Sequence, residues 1–257
     1  MIKTYSIINQ KGGVGKTTTT INLGTAMAAC GANVLLIDMD LQGNLTTGMG
    51  LKKDERTKGV YDVLMNGLNA KNVLKKTEIK NLDLMPSSDE LLGIDIQLSN
   101  DNDRIMRLKN ALKDINFYDY ILIDCPPSLS LLTINALVAS NGALVPLQAE
   151  FYALEGLSQI LKTIDDIKNS VNHSLNLEGV IITMFDGRNN LSNQVEEDVR
   201  SYLGADVYNT IIPRNIKLSE APSHGLPALI YDYKCSGSMA YIDLAREVLN
   251  KSGWIIK

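Results

Sequence analysis

An apolar run, Tyr5-Ser6-Ile7-Ile8, leads directly into Lys-Gly-Gly-Val-Gly-Lys-Thr-Thr at positions 11–18, and no other stretch constrains the fold as tightly. A strand that ends in a glycine-rich turn and passes at once into a helical pattern is a construction that cradles phosphate. Glycines let successive backbone N–H groups converge on an anion without Cβ interference. The following helix offers its free N–H groups and the positive end of its dipole to the same anion. Gly12, Gly13, Val14, Gly15, Lys16, Thr17 and Thr18 are therefore candidate nucleotide-binding residues. In such a loop Lys16 reaches the β and γ phosphates and the Thr17 hydroxyl ligates Mg²⁺.

Strand-like and helical patterns alternate along the rest of the chain. Segments 2–9, 34–38, 82–85, 120–124, 143–148, 180–183 and 207–212 read as strands. Most are continuous apolar runs, as expected for strands buried on both faces of a parallel sheet. Helical patterns occupy 16–30, 104–115, 154–171, 192–202 and 238–250. This alternation predicts an α/β fold, a doubly wound and mostly parallel sheet with helices on both faces and ligands at the carboxyl ends of the strands. No repeat or linker interrupts it, so one domain over 1–257 is expected.

Composition sets limits. No apolar stretch approaches the roughly 18 residues a membrane span needs, and the N-terminal residues run straight into a strand pattern rather than a signal peptide. Three scattered cysteines, Cys30, Cys125 and Cys235, do not make a disulfide framework, which suits a reduced, cytoplasmic setting. The net charge of −4 argues against a globally basic nucleic-acid binder. Any such surface must be a local patch, assembled in a single chain or only in a dimer.

Several further segments fall where nucleotide chemistry needs them. The strand at 34–37 ends in Asp38-Met39-Asp40-Leu41-Gln42-Gly43-Asn44. A carboxylate at a strand's carboxyl end beside the phosphate loop can orient water or hold Mg²⁺. The run Tyr120-Ile121-Leu122-Ile123 ends in Asp124, followed by Cys125-Pro126-Pro127. Two later segments complete the set: Thr183-Met184-Phe185-Asp186-Gly187-Arg188, and Pro213-Arg214-Asn215-Ile216-Lys217 continuing to Gly225.

The phosphate loop departs from the general motif in one respect. The position that ordinarily holds its first glycine is Gln10, and a second lysine, Lys11, opens the loop instead. With the Asp-x-Asp-x-Gln-Gly-Asn run at 38–44, this deviant Walker A loop resembles the family of dimerising ATPases that includes the ParA/Soj chromosome-partitioning proteins and MinD. The similarity spans nearly the whole chain. It implies a P-loop ATPase that uses ATP and Mg²⁺, forms a homodimer when ATP is bound, and has a slow basal rate. By resemblance the catalytic residues are Lys11, Lys16 and Asp40, with Lys11 reaching the partner's nucleotide and Asp40 positioning the attacking water. Asp124, the Walker B carboxylate, lies near Mg²⁺ together with Thr17, and Asp38 supports either the metal or the loop. Met184, Pro213 and Asn215 are expected near the adenine base. Arg188 and Lys217 are expected on DNA phosphates, and Arg214 in either role. The implied partners are non-specific DNA and a ParB-like protein bound to centromere-like sites, with the ATPase cytoplasmic and associated with the nucleoid.

Other members of the superfamily fit less well. A MinD-like membrane-surface ATPase needs a terminal amphipathic helix, whereas 238–250 reads as core-facing and only 251–257 remains. Iron–sulfur relatives need paired cysteines. A longer partitioning type carries an N-terminal helix-turn-helix, for which a phosphate loop at residue 11 leaves no room. An ATP-dependent metabolic ligase of the dethiobiotin or cobyrinic acid type shares the loop but not the matches at 38–44 and 213–225.

Overall fold

The protein is described here from a computed structural model covering residues 2–254. Seven strands form one sheet: β1 (Lys3–Ile7), β2 (Val34–Asp38), β3 (Lys75–Lys76), β4 (Leu82–Met85), β5 (Tyr120–Asp124), β6 (Gly142–Gln148) and β7 (Asn176–Thr183). Eleven α-helices connect them: α1 (Lys16–Ala29), α2 (Asn44–Gly48), α3 (Val60–Asn66), α4 (Ile94–Gln97), α5 (Arg107–Ala111), α6 (Leu131–Ala139), α7 (Ala153–Ser170), α8 (Asn190–Leu203), α9 (Ile216–Glu220), α10 (Ala228–Tyr231) and α11 (Ser236–Lys251). The strand order is β3-β4-β2-β5-β1-β6-β7, parallel throughout except for the β3–β4 pair at one edge. This is the predicted α/β, doubly wound, mostly parallel sheet.

Alternation along each strand divides the core into two faces. Leu35, Ile37, Ile121 and Ile123 point to one side, where they meet Val60, Leu64, Leu132, Leu157, Ile160 and Val199 from the α3-to-α8 layer. Leu36, Leu122, Tyr5 and Ile7 point to the other, where α1 and α11 supply Ile21, Leu23, Met27, Tyr241, Leu244 and Val248. Burying each such side chain contributes about 1.5–3 kcal/mol, so the central strands are clamped from both sides. β1, β2 and β5 lie side by side in register, with Ile7 opposite Asp124 and Asp38 opposite Asp124. That register brings the phosphate loop and both strand-end carboxylates to one edge of the sheet.

The structure departs from the sequence reading in three places. Segment 207–212 is not a strand but touches the sheet through isolated bridges, Val180–Val207 and Phe185–Pro213. Val207, Tyr208 and Ile212 are buried and Ile211 partly so; the Tyr208 and Ile212 N–H groups donate to Val180 and Ile182 of β7, while those of Asn209 (2.7 Å) and Thr210 (3.0 Å) between them donate to Glu247 of α11. The seventh strand is instead β3, two lysines at an edge, where charge discourages further pairing. The helix expected over 104–115 is regular only at Arg107–Ala111. Residues 255–257 of the expected C-terminal tail lie outside the described residues.

Candidate functional site

The phosphate loop joins β1 to α1 through two left-handed glycines, Gly13 (φ 77°) and Gly15 (φ 92°), the second serving as the N-cap of α1 with no side-chain cap. A side chain at either position would be strained. The uncapped first turn leaves its N–H groups directed at the loop. Thr183 at the end of β7 donates a 2.8 Å hydrogen bond to the Val14 carbonyl and so anchors the loop from the opposite side.

A cleft of about 650 Å³ opens over this loop. Gly12, Gly13, Gly15, Lys16, Thr17 and Thr18 form its floor, and Asp40, Gln42, Thr47 and Met184 stand on its walls. Lys16 is buried, and its Nζ donates to the Lys11 carbonyl at 3.2 Å. Burial lowers its pKa, against an upward pull from Asp124 and Asp40. A buried, donor-rich cation at the loop's end is suited to a phosphate oxygen.

Thr17 and Asp124 stand together. The Thr17 hydroxyl donates to Asp124 Oδ2 at 2.7 Å, and that of Thr20 donates to Oδ1 at 3.3 Å. Burial raises the Asp124 pKa well above the usual carboxylate range, with the Asp38 charge adding to it. A hydroxyl and a carboxylate side by side at the phosphate floor fit a hard, oxygen-seeking cation such as Mg²⁺, which also takes ligands from nucleotide phosphates and water. Asp38 faces inward instead. It accepts hydrogen bonds from the Thr46 N–H (2.8 Å), the Thr46 hydroxyl (2.6 Å) and the Asp40 N–H (3.1 Å). Burial pushes its pKa up to about 6. These contacts tie Asp38 to the segment that carries Asp40 and to the first turns of α2.

Asp40 presents its carboxylate to the cleft, with Oδ1 accepting the Gln42 N–H at 3.0 Å. Lys11 lies outside the cleft walls, and its exposed Nζ pairs with Glu150, in the loop after β6. Of the residues expected near the base, Met184 reaches the cleft and has left-handed backbone (φ 51°). Pro213 bridges Phe185, and Asn215 caps α9, its side-chain oxygen accepting the Lys217 N–H at 2.8 Å. Neither lines the cleft. Pro222 and Ser223 do, because α9 and the 3₁₀ turn that follows it carry the chain back over the nucleotide side.

The candidate DNA cations all have acidic neighbours. Arg188 forks onto Asp186 at 2.9 and 2.7 Å, holding that carboxyl down at about 2, with Arg214 adding to the effect. Lys217 pairs with Glu220 at 2.9 Å and lies 5.5 Å from the centre of the Tyr231 ring. Backbone hydrogen bonds from the Phe185 N–H to Ile212 and from the Arg214 N–H to Phe185, both 3.0 Å, lace the two cation-bearing loops together.

Comparison with known proteins accords with this geometry. The family profile described as an AAA domain matches residues 2–177. The chain is 51% identical over 253 residues to the chromosome partitioning protein ParA of Caulobacter vibrioides, covering 97% of this chain and 95% of that one. The chain belongs to the ParA/Soj family of partitioning ATPases. Soj of Bacillus subtilis, described as a sporulation initiation inhibitor, is 50% identical over 96% of this chain and 98% of its own. A solved structure of cobyrinic acid a,c-diamide synthase from Mycobacterium smegmatis, with an ATP analogue and magnesium bound, superimposes with a TM-score of 0.87. It is 34% identical, with 97% of this chain and 95% of that one covered. This ParA/Soj-family member is an ATPase, and its phosphate floor and Thr17–Asp124 pair fit ATP and Mg²⁺. Among the described residues, no helix is long and apolar enough to cross a membrane.

Proposed function

We propose that this ParA/Soj-family ATPase partitions DNA by forming an ATP-bound homodimer that binds DNA without sequence preference and lets go on hydrolysis. The observation that carries the reading is the division of labour between two lysines. Lys16 is buried at the chain's own phosphate floor, whereas Lys11 stands exposed outside the cleft. A cation so placed can exchange Glu150 for a nucleotide held by a second copy. Phe151 and Tyr152, which follow its partner Glu150, are also exposed and offer apolar surface for such a copy to cover.

In this reading the loop N–H groups, Lys16 and Thr18 hold the phosphates, while Thr17 and Asp124 hold the metal, with Asp38 bracing the segment that carries Asp40. Mg²⁺ bound there would offset negative charge on the β and γ phosphates. Asp40 orients a water for in-line attack on the γ phosphorus, and the bond to the β-phosphate oxygen breaks. Two chains close face to face with each Lys11 on the partner's phosphates, so loss of the γ-phosphate weakens the dimer. Met184, with Pro222 and Ser223 on the same cleft wall, borders the base. Arg188, Arg214 and Lys217 from both chains give a composite cationic surface for DNA phosphates. A ParB-like protein on centromere-like DNA accelerates hydrolysis, and the ATP-bound state is associated with the nucleoid.

Sedimentation of wild type and Lys11→Ala with ATP and with ADP tests this reading. Wild type should dimerise with ATP alone, and Lys11→Ala should bind ATP yet stay monomeric. A normal dimer from Lys11→Ala would overturn the role given to that lysine. A second reading, ATP-dependent amidation of a metabolite, draws on the 34% identity to the Mycobacterium smegmatis synthase. It predicts ATP use that is indifferent to DNA.

A further inference from the structure

Arg56 contributes nothing to the cleft lining, yet it reaches the loop that carries Asp40. Its Nη2 donates to the Thr47 hydroxyl oxygen at 2.7 Å and to the Leu51 carbonyl at 3.2 Å. The Thr47 hydroxyl donates onward to the Gly43 carbonyl at 2.9 Å, and the Gly43 N–H donates to the Asp40 carbonyl at 2.9 Å. One planar guanidinium therefore ties α2 to the segment that follows it, and it reaches the turn on which Asp40 sits through the Thr47 hydroxyl.

The packing around Gly43 points the same way. Gly43 is left-handed (φ 62°), and a Cβ there would stand 2.8 Å from Arg56 Nη1. The guanidinium occupies the space that any side chain at 43 would need. Arg56 Nε is buried with no hydrogen-bond partner among the described residues. On the opposite side, the Ser87 hydroxyl donates to the Asp40 carbonyl at 2.6 Å, and its N–H donates to the Thr46 hydroxyl oxygen at 3.0 Å. The loop is held from two directions, by Ser87 on the core side and, through Thr47, by Arg56 on the other.

We propose that Arg56 is a positioning residue for ATP hydrolysis: it fixes the turn from Gly43 to Thr47 and so the direction in which Asp40 presents its carboxylate. The inference rests on Asp40 as the residue that orients the attacking water. Loss of the contact leaves the phosphate floor intact, so nucleotide affinity is spared. Misplacing the group that aligns the water slows the chemical step.

The test is single-turnover and steady-state ATP hydrolysis by the full chain, normalised to binding sites counted with a fluorescent ATP analogue. Wild type, Arg56→Ala, Arg56→Lys, Gly43→Ala, Asp40→Ala and the Arg56→Ala/Asp40→Ala double variant are compared. Arg56→Ala should lower kcat per site about 10-fold while the KM for ATP stays within about twofold. Arg56→Lys, which keeps one donor for Thr47, should recover part of the rate, and Gly43→Ala should slow hydrolysis as Arg56→Ala does. The double variant should be no slower than Asp40→Ala alone, since both act on one step. An unchanged kcat per site in Arg56→Ala, or a KM that rises in parallel with the loss of rate, overturns the inference. If Asp40→Ala still hydrolyses ATP at the wild-type rate, the reading of Asp40 fails first. If Asp40→Ala is inactive and Arg56→Ala is normal, only the role of Arg56 fails.

Discussion

The Thr17 hydroxyl donates a 2.7 Å hydrogen bond to Asp124 Oδ2, joining the first turn of α1 to the end of β5. Because β5 lies between β1 and β2, this contact also fixes the phosphate loop relative to the strand that leads to Asp40. Two further carboxylates, Asp38 and Asp40, crowd the same strand ends, and Lys16 is the buried cation nearest to hand. Lys16→Ala should therefore weaken ATP binding about 10- to 100-fold, the effect of losing a charge-assisted contact of about 1.5–3 kcal/mol. Calorimetric titration of the nucleotide checks this, and unaltered affinity would mean that the loop N–H groups hold the phosphates without it.

The pair between Lys11 and Glu150 competes with any contact that Lys11 makes to a second chain. Both groups are about half exposed, so the pair itself is worth about 0.2–1 kcal/mol. Both chains lose the pair, so Glu150→Gln should strengthen ATP-dependent dimerisation by no more than about 30-fold, read as a shift in the sedimentation midpoint. Weaker dimerisation would instead assign Glu150 a favourable contact across the interface.

On the DNA side, Lys217→Glu should leave ATP-dependent dimerisation intact and abolish DNA binding. Arg188→Ala should weaken binding uniformly across sequences and reduce the slope of log affinity against log salt by about one per chain. Band shifts over a salt series measure both effects. Unchanged affinity in either variant would place the cationic surface elsewhere.

At the opposite edge of the sheet, Glu178 is packed among Tyr5, Tyr208, Lys3 and Lys251. Tyr208 donates to its carboxylate at 3.5 Å. Burial raises its pKa, partly offset by Lys251 and Lys3. For a carboxyl whose folded pKa is raised, the stabilising contribution is complete below the unfolded value, near 4.5, and is lost as pH rises through the folded value. Glu178→Gln should match wild type in thermal stability near pH 4.5 and exceed it by a few degrees at pH 8. A difference independent of pH would show that packing, not charge, governs the site.

Much of the sheet was legible in the sequence because its central strands are apolar on both faces, as at Val34–Asp38 and Tyr120–Asp124. Segment 207–212 carries the same apolar signature. The N–H groups in its middle go instead to Glu247, some 35 residues later, which no local pattern reveals. β3 consists of two lysines and has no strand signature at all. Residues 11–18 declare themselves by type and spacing. The wall formed by Pro222 and Ser223 depends on how α9 turns back, so expectation settled on Pro213 and Asn215 instead. The contact between Lys11 and Glu150 spans 139 positions, and it became visible only once β1 and β6 lay side by side.

The most direct test of a nucleotide-switched DNA-binding ATPase is a band shift at low salt with non-specific duplex DNA, using wild type and Asp40→Ala with ATP, with ADP and without nucleotide. Binding should require ATP, be indifferent to sequence, and persist in Asp40→Ala after wild type has turned over its ATP and released the DNA. No DNA binding in any nucleotide state would contradict the account, leaving an ATP site that serves some other substrate.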